Sequence, residues 1–354
     1  MIREEKIVED FSRLGKIFGQ VAISSDENSS LESDQVNLLL DAAMQSYQRN
    51  PWFIPDFVKF AFHAWSNALQ EDKISTWISR YSPIWTPGNK PKTVAIIMAG
   101  NIPMVGLHDL LCVLTSGNRA LIKLSSSDEV LIPAVLKVLS MINPAYELLF
   151  QLTTGPLNNF DAIIATGSNN SSRYFDYYFG KYPHIIRKNR NGTAVLTGEE
   201  TEEEMIKLAD DIFLYFGLGC RNISKIYVPE GFDFRKLFEA LKRYEFFSNH
   251  HKYRNNYDYQ KSIMLINSIH HEDNGFLLIK RDQALISPIS VLYVESYRSV
   301  QQLSGHLKEI QDQVQCIVSV SESINSAIQP GQSQRPELWD YADGIDTLKF
   351  LLNL

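Results

Sequence analysis

The hydrophobic pattern of residues 1–80 predicts a mostly helical region. Apolar positions between residues 38 and 43 recur near helical spacing, and an aromatic stretch runs from Phe57 to Trp65. Aromatic rings at such spacing usually pack on a core, so we expect a helical layer here. The alternative is that some of these rings line a pocket for an apolar substrate tail.

Beyond residue 91 the pattern changes to short apolar runs that alternate with helical stretches. Prolines and a glycine at residues 83–91 form the connector. Helices are expected at residues 104–115 and 127–141, the second with Asp128 and Glu129 in its first turn. This alternation is typical of a parallel sheet that is covered on both faces. The predicted strands are Thr93–Met98, Arg119–Leu124, Asp161–Ala165, His184–Arg187 and Ala194–Leu196.

The second half of the chain continues the alternation after one polar interruption. Residues 244–259 carry His250, His251 and several tyrosines without a metal-binding spacing, and we interpret them as a surface loop. The chain as a whole is therefore predicted to have an α/β fold. Further helices are expected at 201–216, 234–247 and 300–311, and further strands at 224–228, 263–266, 276–279, 289–294 and 315–320.

Composition narrows the possible functions. A length of 354 residues suggests about two domains, and 44% hydrophobic with 21% charged residues is typical of a globular protein. The net charge is -7 and no block of basic residues occurs, so we expect no nucleic-acid partner. No apolar run reaches the ~18 residues of a membrane helix, so we expect no membrane span.

The three cysteines, Cys112, Cys220 and Cys316, are widely spaced and odd in number. This pattern fits neither a disulfide framework nor a zinc site, and it is typical of a reducing compartment. The charged start of the chain, MIREEKIVEDF, has no apolar signal core. We therefore expect a cytoplasmic protein.

Cys220 is the strongest candidate for chemistry. It follows Gly217 and Gly219 and stands just before an apolar run that begins near residue 224. Glycines allow a sharp turn that can place a thiol at the mouth of a cleft, where it could take an acyl group as a thioester. The alternative is a cysteine that is simply packed beside the end of a helix.

Polar residues follow three of the predicted strands at the end where open parallel sheets bind ligands. Asn101 follows the first strand, Lys123 and Ser125 the second, and Gly167 and Ser168 the third. A lysine with a serine can hold a ribose or a phosphate, and a Gly-Ser at a helix start suits a pyrophosphate. Each of these features alone is weak evidence for a ligand-binding site. Three of them in succession, followed by a glycine-flanked cysteine, are stronger evidence than any one alone. A Rossmann fingerprint and a P-loop are both absent from the sequence.

In these residues the chain resembles the aldehyde dehydrogenase superfamily and, within it, the acyl-CoA reductases related to LuxC. The resemblance runs from about residue 91 to the end. It implies that Cys220 is the nucleophile, that Asn101 stabilises an oxyanion, and that Lys123, Gly167 and Ser168 bind the dinucleotide. The remaining matches are Ser287-Pro288 at the family's Gly-Pro and the closing motif at residues 340–347.

The sequence departs from the superfamily at both glutamates. The catalytic glutamate's position falls on Asn189 when Gly192 is aligned with the family's second glycine, and the second glutamate falls near Ala284. An asparagine cannot take up a proton at neutral pH. This substitution makes hydrolysis of a thioester, and with it oxidation of an aldehyde to an acid, the weaker interpretation.

The resemblance implies an NADPH-dependent acyl-CoA reductase that makes an aldehyde from a fatty acyl group, with NADH as the alternative cofactor. It implies a cofactor-binding domain at 1–197, a smaller catalytic domain at 198–325 and a tail at 326–354 that returns to the first domain. A homo-oligomer or an acyl-transfer enzyme partner is possible. The alternatives are an NAD(P)-dependent aldehyde dehydrogenase and a non-catalytic partner subunit.

Overall fold

The structure, a computed structural model, describes residues 2–24, 33–82, 90–167 and 169–354, and for residues 169–171 it describes the backbone alone. The chain forms two compact units. The first contains residues 1–189 and 336–354, and the second contains residues 190–335.

The first unit begins with a helical layer. Its amphipathic first helix buries Phe11, Leu14 and Phe18, and the Phe18 ring meets Phe62 edge-on at 5.2 Å. Burial of such rings supplies most of the stability of this layer, because hydrophobic stabilisation grows with the apolar area removed from water. The layer consists of α1 (Glu4–Ile23), α2 (Asp34–Arg49), α3 (Pro55–Ala68) and α4 (Glu71–Ser79).

Sheet A of the first unit is entirely parallel in the described part of the chain, with the strand order β3-β2-β1-β4-β5. Its central strands are apolar along almost their whole length, as expected when both faces of a sheet are covered. The strands are β1 (Thr93–Ile97), β2 (Arg119–Lys123), β3 (Phe150–Leu152), β4 (Ala162–Thr166) and β5 (His184–Arg187).

Helices connect the strands of sheet A. Phe175 and Phe179 of the helix after β4 pack against Ala95 and Ile163 of the sheet. The helix after β2 is apolar on several sides and buries most of its residues. These helices are α5 (Leu107–Thr115), α6 (Leu131–Ile142) and α7 (Asn169–Phe179), and the chain ends with α12 (Thr347–Leu352).

A buried ion pair joins β5 to α5, and a hydrogen bond from the same arginine reaches the last helix. The Arg187 guanidinium at the end of β5 donates to the Asp109 carboxylate of α5 and, over 2.9 Å, to Thr347 Oγ1 at the start of α12. Both charged side chains are at most 7% exposed. Asp109 opposes the effect of burial on Arg187 and raises the pKa of the guanidinium above its usual value.

The second unit contains a mixed sheet, sheet B, with the order β11-β6-β7-β10-β9-β8. Its described strand pairs are parallel except β8 with β9, which are antiparallel. The strands are β6 (Asn191–Val195), β7 (Ile223–Pro229), β8 (His271–Asp273), β9 (Leu278–Arg281), β10 (Val291–Tyr297) and β11 (Val314–Val318). The helices are α8 (Glu202–Phe213), α9 (Arg235–Leu241), α10 (His251–Ile266) and α11 (Val300–Glu309).

The α/β prediction is confirmed, but the local predictions for residues 244–259 and 263–266 are wrong. Residues 244–259 are not a surface loop, because they form a 3₁₀ segment and most of α10, which buries Tyr253 and Tyr257. Residues 263–266 are the last turn of α10 rather than a strand. Among the described helices, none combines the length and the apolar character needed to cross a membrane.

We predict that Arg187→Met lowers the free energy of unfolding by ~3–5 kcal/mol, because it leaves the Asp109 carboxylate buried without its partner. The double variant Arg187→Met/Asp109→Leu should recover most of that loss, since it removes both charges. Urea unfolding measures both. The control is Lys207→Met, which breaks an exposed pair with Glu203 and should leave the free energy of unfolding close to that of the wild type. A double variant that is as unstable as the single variant would contradict the prediction.

Candidate active site

The register of sheet A brings three strand ends to one edge. Ile97, the last residue of β1, pairs with Lys123 of β2 on one side and with Ala165 of β4 on the other. The turns that follow these strands carry Asn101, Ser125 and Gly167, so these residues share the edge where parallel sheets bind ligands. Asn101 is exposed, and Lys123, Ser125 and Gly167 are half-buried. Ser168 lies outside the described residues.

The turns after β1 and β2 are in direct contact at Gly100. A Cβ atom at Gly100 would lie 2.6 Å from Ser125 Oγ, 2.7 Å from Ser125 Cβ and 3.1 Å from the Asp128 nitrogen. Ser125 in turn accepts a hydrogen bond from Ser127 N at its Oγ over 3.2 Å. Only glycine allows this approach without displacing the Ser125 turn, so Gly100 fixes the spacing between the turns that carry Asn101 and Ser125.

Asp128 holds the far end of the Asn101 turn. Its Oδ2 accepts a hydrogen bond from Met104 N over 2.9 Å, and Met104 has a left-handed backbone with φ of 57°. The side chain is buried, and burial raises its pKa to about 6, although the hydrogen bonds from Met104 N and Leu131 N work in the opposite direction. The sequence predicted Asp128 inside the first turn of a helix, but α6 begins only at Leu131.

Lys123 lines a cleft on the α7 side of sheet A. The cleft has a volume of about 460 Å³. Its walls combine one residue of β1, Ile97, with aromatic rings of α7 and of the segments that flank it; these include Phe160, Tyr174, Phe175, Tyr178 and Tyr182. The Lys123 ammonium donates to Gly155 O over 3.3 Å. An apolar, ring-lined cleft that also contains two lysines, Lys123 and Lys181, suits a flat heterocycle that is joined to an anionic group.

In the second unit the chain makes an unusual turn before Cys220. Tyr215, Phe216 and Gly217 all have left-handed backbone angles, with φ of 56°, 58° and 75°. This conformation is costly for residues with a Cβ, and it persists only where the surroundings hold it. The Phe216 ring packs 4.3 Å from Phe247 and 4.4 Å from His250, which anchors the turn. Cys220 is half-buried.

The turn around Cys220 is closed by Asn222, which is 1% exposed. Asn222 Oδ1 accepts from Gly219 N over 2.8 Å, and the Asn222 backbone N–H donates to Gly219 O over 3.0 Å. The Asn222 side-chain amide donates to the carbonyls of Asp211 and Leu214 at 3.0 and 2.9 Å. One side chain therefore joins the C-terminus of α8 to the cysteine turn.

Neighbouring strands support the residues on either side of Asn222. The Gly192 N–H of β6 donates to Asn222 O over 2.9 Å, and a Cβ on Gly192 would lie 2.7 Å from Arg221 O. Arg221 Nε donates to Ser333 O over 2.6 Å, and Cys316 Sγ donates to Arg221 O over 3.6 Å. The base of the cysteine turn is therefore held from several directions.

Cys112 and Cys316 lie within a helix and a strand, whereas Cys220 lies in a turn. Cys112 is buried within α5, and burial raises the pKa of its thiol well above the usual value, so it stays protonated and unreactive. Cys316 is half-buried on β11. Among the described residues there is no cluster of His, Cys, Asp and Glu that could hold a metal ion.

Two positions that the resemblance singles out lie in a tightly bonded loop between β9 and β10. Ala284 N donates to Asp282 Oδ1 over 3.0 Å, and Ser287 Oγ donates to Val291 O over 2.6 Å. Asn189, which the resemblance aligns with the family's glutamate, lies between β5 and β6. The roles of Asp128 and Asn222 were not predicted from the sequence, although an asparagine two residues after a Gly-Cys pair is a signal for side-chain bonding to the backbone.

We predict that Gly100→Ala lowers the free energy of unfolding by ~1–3 kcal/mol, because the new Cβ overlaps Ser125. Adding Ser125→Gly should recover part of the loss, since the Asp128 nitrogen remains close. Gly305→Ala is the control, because a Cβ there meets nothing within 4 Å and alanine favours the α11 helix. Equal unfolding free energies for Gly100→Ala and wild type in urea would contradict the close approach.

Solved structures of low sequence identity share this architecture. The aldehyde dehydrogenase KauB from Pseudomonas aeruginosa has a TM-score of 0.62 at 12% identity, with 93% of this chain and 78% of that chain covered. An NAD-dependent benzaldehyde dehydrogenase from Corynebacterium glutamicum has a TM-score of 0.58 at 13% identity, covering 95% and 88%. Proline Utilization A from Corynebacterium freiburgense has a TM-score of 0.60 at 12% identity, covering 92% of this chain but only 38% of that one.

At these identities the likeness concerns the fold, which is that of the aldehyde dehydrogenases. No curated protein sequence matches the chain. A family of proteins described as acyl-CoA reductase (LuxC) matches residues 85–326, which is more than half of the chain and includes both the sheet A turns and Cys220. The chain therefore belongs to the acyl-CoA reductase (LuxC) family of oxidoreductases, with the fold of the aldehyde dehydrogenases.

Proposed function

We propose that this protein reduces an acyl-CoA, with a fatty acyl chain as the resemblance implies, to the aldehyde with NADPH. The reaction would pass through a thioester on Cys220. The first unit would bind the cofactor and the second would carry the nucleophile. The main support for the proposal is the turn that holds Cys220 through the hydrogen bond from Gly219 N to Asn222, in a chain that belongs to the acyl-CoA reductase family.

The Cys220 thiolate is proposed to attack the thioester carbonyl of the acyl-CoA. A tetrahedral oxyanion forms, its collapse expels CoA as a thiolate, and the acyl group remains on the cysteine sulfur. The strained backbone of residues 215–217 and the Asn222 bonds support this role, because a nucleophile must be held in one orientation to attack efficiently.

Asn101 is proposed to donate its side-chain amide to that oxyanion, together with the Cys220 backbone N–H. The exposed position of Asn101 on a short turn supports the role, because the amide must reach a bound substrate. Gly100 and Asp128 keep the turn in place from both ends. A donor that is already oriented before the reaction stabilises the developing charge without reorganisation.

The sheet A edge is proposed to bind the dinucleotide through Lys123, Ser125, Gly167 and Ser168. The ring-lined cleft of about 460 Å³ beside Lys123 fits a purine with an attached ribose, and the ammonium fits a ribose 2′-phosphate, which favours NADPH over NADH. When bound, the nicotinamide supplies the hydride that converts the thioester to the aldehyde.

The fate of the thioester separates the proposed reductase from an NAD(P)-dependent aldehyde dehydrogenase. Attack by water needs a positioned base, which contributes typically ~10²–10⁴-fold. The resemblance aligns Asn189 with the family's glutamate, and the amide of an asparagine cannot accept a proton from water. The acyl group is therefore expected to wait on Cys220 until the cofactor reduces it, and rapid release of free acid would favour the dehydrogenase.

We predict that Cys220→Ala abolishes NADPH oxidation with acyl-CoA and leaves the unfolding transition unchanged. Wild-type protein with acyl-CoA and no cofactor should gain one acyl group on Cys220, seen by peptide mass spectrometry. Cys316→Ser is the matched control, because its hydroxyl keeps the donor to Arg221 O, and it should retain activity. An acyl group on Cys112 or Cys316, or full activity in Cys220→Ala, would refute the assignment.

We predict that Lys123→Met raises the KM for NADPH by ~10- to 100-fold, which corresponds to the loss of a charged hydrogen bond worth ~1.5–3 kcal/mol. The KM for acyl-CoA should change little. Initial rates with each substrate varied in turn measure both constants. The control is Lys137→Met on the exposed side of α6, which should change neither. Equal increases in both KM values would assign Lys123 a structural role only.

A further inference from the structure

We infer that Asn222 is a positioning residue for the Cys220 nucleophile, and that its side-chain amide sets the orientation of the thiol by coupling the cysteine turn to the end of α8. The inference rests on the proposed nucleophilic role of Cys220. It concerns a residue that does not touch the reacting atoms, so its effect must pass through the backbone of residues 219–222.

The hydrogen bonds of Asn222 enclose Cys220. The Gly219 N–H donates to Asn222 Oδ1 over 2.8 Å, and Gly219 O accepts from Asn222 N over 3.0 Å. The two bonds close a ring whose remaining members are Cys220 and Arg221. A turn closed from both ends by one residue leaves the Cys220 backbone few alternative dihedral angles, so the direction of its Cα–Cβ bond is restricted.

The amide nitrogen of Asn222 bonds this ring to the C-terminus of α8. Asn222 Nδ2 lies 3.0 Å from Asp211 O, 2.9 Å from Leu214 O and 3.4 Å from Ile212 O, which are carbonyls at the C-terminus of α8. The last carbonyls of a helix lack partners within the helix, so a buried donor is needed there. The amide meets that need and at the same time ties the cysteine turn to α8.

The end of α8 is itself fixed within the second unit. The buried Asp211 carboxylate accepts from Gly331 N over 2.6 Å and from Ser333 N over 2.9 Å. Ser333 O in turn accepts from Arg221 Nε over 2.6 Å. Residues 331–333 therefore fix the end of α8 to which Asn222 is bonded. A movement of the cysteine turn would have to break several buried hydrogen bonds.

The chemistry of the side chain explains why an amide occupies this position. The site requires one acceptor, for Gly219 N, and one donor group, for the α8 carbonyls, within the length of a single side chain. Asparagine provides both, whereas aspartate provides only acceptors and would face the carbonyl oxygens of Asp211 and Leu214 unfavourably. Alanine would leave these buried groups without their present partner.

The test compares two reactions of the same thiol in wild type, Asn222→Ala and Asn222→Asp. The first is acylation by acyl-CoA without cofactor, measured as CoA released per protein. The second is alkylation of Cys220 by iodoacetamide, a small reagent that needs no fixed orientation, measured by peptide mass spectrometry. Both rates are taken on samples that circular dichroism shows to be folded, because an unfolded chain would lose acylation but keep a reactive thiol. In folded protein a misoriented thiol lowers the ratio of acylation to alkylation.

We expect Asn222→Ala to lower that ratio by roughly 10- to 100-fold, because a misplacement of about 1 Å can cost this much. Asn222→Asp should lie between Ala and wild type, since it keeps the bond to Gly219 N but loses the donors to α8. The matched control is Asn274→Ala, which removes an amide that accepts from Leu277 N over 2.8 Å in the turn before β9, and it should leave the ratio unchanged.

An unchanged ratio in Asn222→Ala, or an equal fall in Asn274→Ala, would overturn the inference. If Asn222→Ala does not fold, Asn222→Asp carries the test, and a wild-type ratio in that variant would overturn it. If wild-type Cys220 is not acylated at all, the proposed function fails. In that case alkylation still decides the positioning role, because a loosened turn should make Cys220 of Asn222→Ala or Asn222→Asp react faster with iodoacetamide than wild type, and equal rates would overturn it.

Discussion

The parallel pairing of β1 with both β2 and β4 is the constraint on which the candidate cofactor site depends. Because Ile97 pairs with Lys123 and with Ala165, the turns after the three strands begin at the same height. Parallel strands require long crossover connections, so each of these turns leads into a helix rather than into a hairpin. The contact of Gly100 with Ser125 then sets how far apart the neighbouring turns lie. Strand register therefore sets the height of the turns along the strand direction, and Gly100 sets the distance between the turns that follow β1 and β2.

The cysteine turn of the second unit is fixed by a different kind of interaction. Here three consecutive left-handed residues, two of them aromatic, interrupt the regular structure between α8 and β7. Such a segment has a high conformational energy, and packing of the Phe216 ring together with the Asn222 hydrogen bonds must offset it. A strained backbone that is held by buried side chains gives a narrow range of thiol orientations. A flexible loop would allow the thiol a wider range of orientations.

Much of the fold, and part of the candidate site, could be predicted from the sequence. The strands of sheet A were predicted to within one or two residues, except the short β3, because they are apolar runs bounded by turn residues. Helix α10 was missed because tyrosines provide its buried face. Tyr257 can be buried because its hydroxyl donates to Asp273 Oδ1 over 2.7 Å, a contact that sequence periodicity does not show. The run 263–266 was read as a strand because it is apolar, yet Leu265 and Ile266 are exposed. Asp128 and Asn222 were missed because their roles depend on backbone groups that are remote in sequence or that belong to a helix end.

The side chain that closes the cysteine turn is a neutral amide, and this lack of charge bears on the proposed chemistry of the thiol. A carboxylate in the place of Asn222 would still accept from the Gly219 N–H, but its negative charge would repel a thiolate on Cys220. An amide gives the same geometry without that charge. The same reasoning applies to Asn189 if it takes the place of the family's glutamate, as the resemblance implies: an amide can orient a neighbour by hydrogen bonding but cannot remove a proton from water. Under the proposed mechanism, neutral amides at both positions favour acylation of Cys220 and release of the acyl group by reduction rather than by hydrolysis.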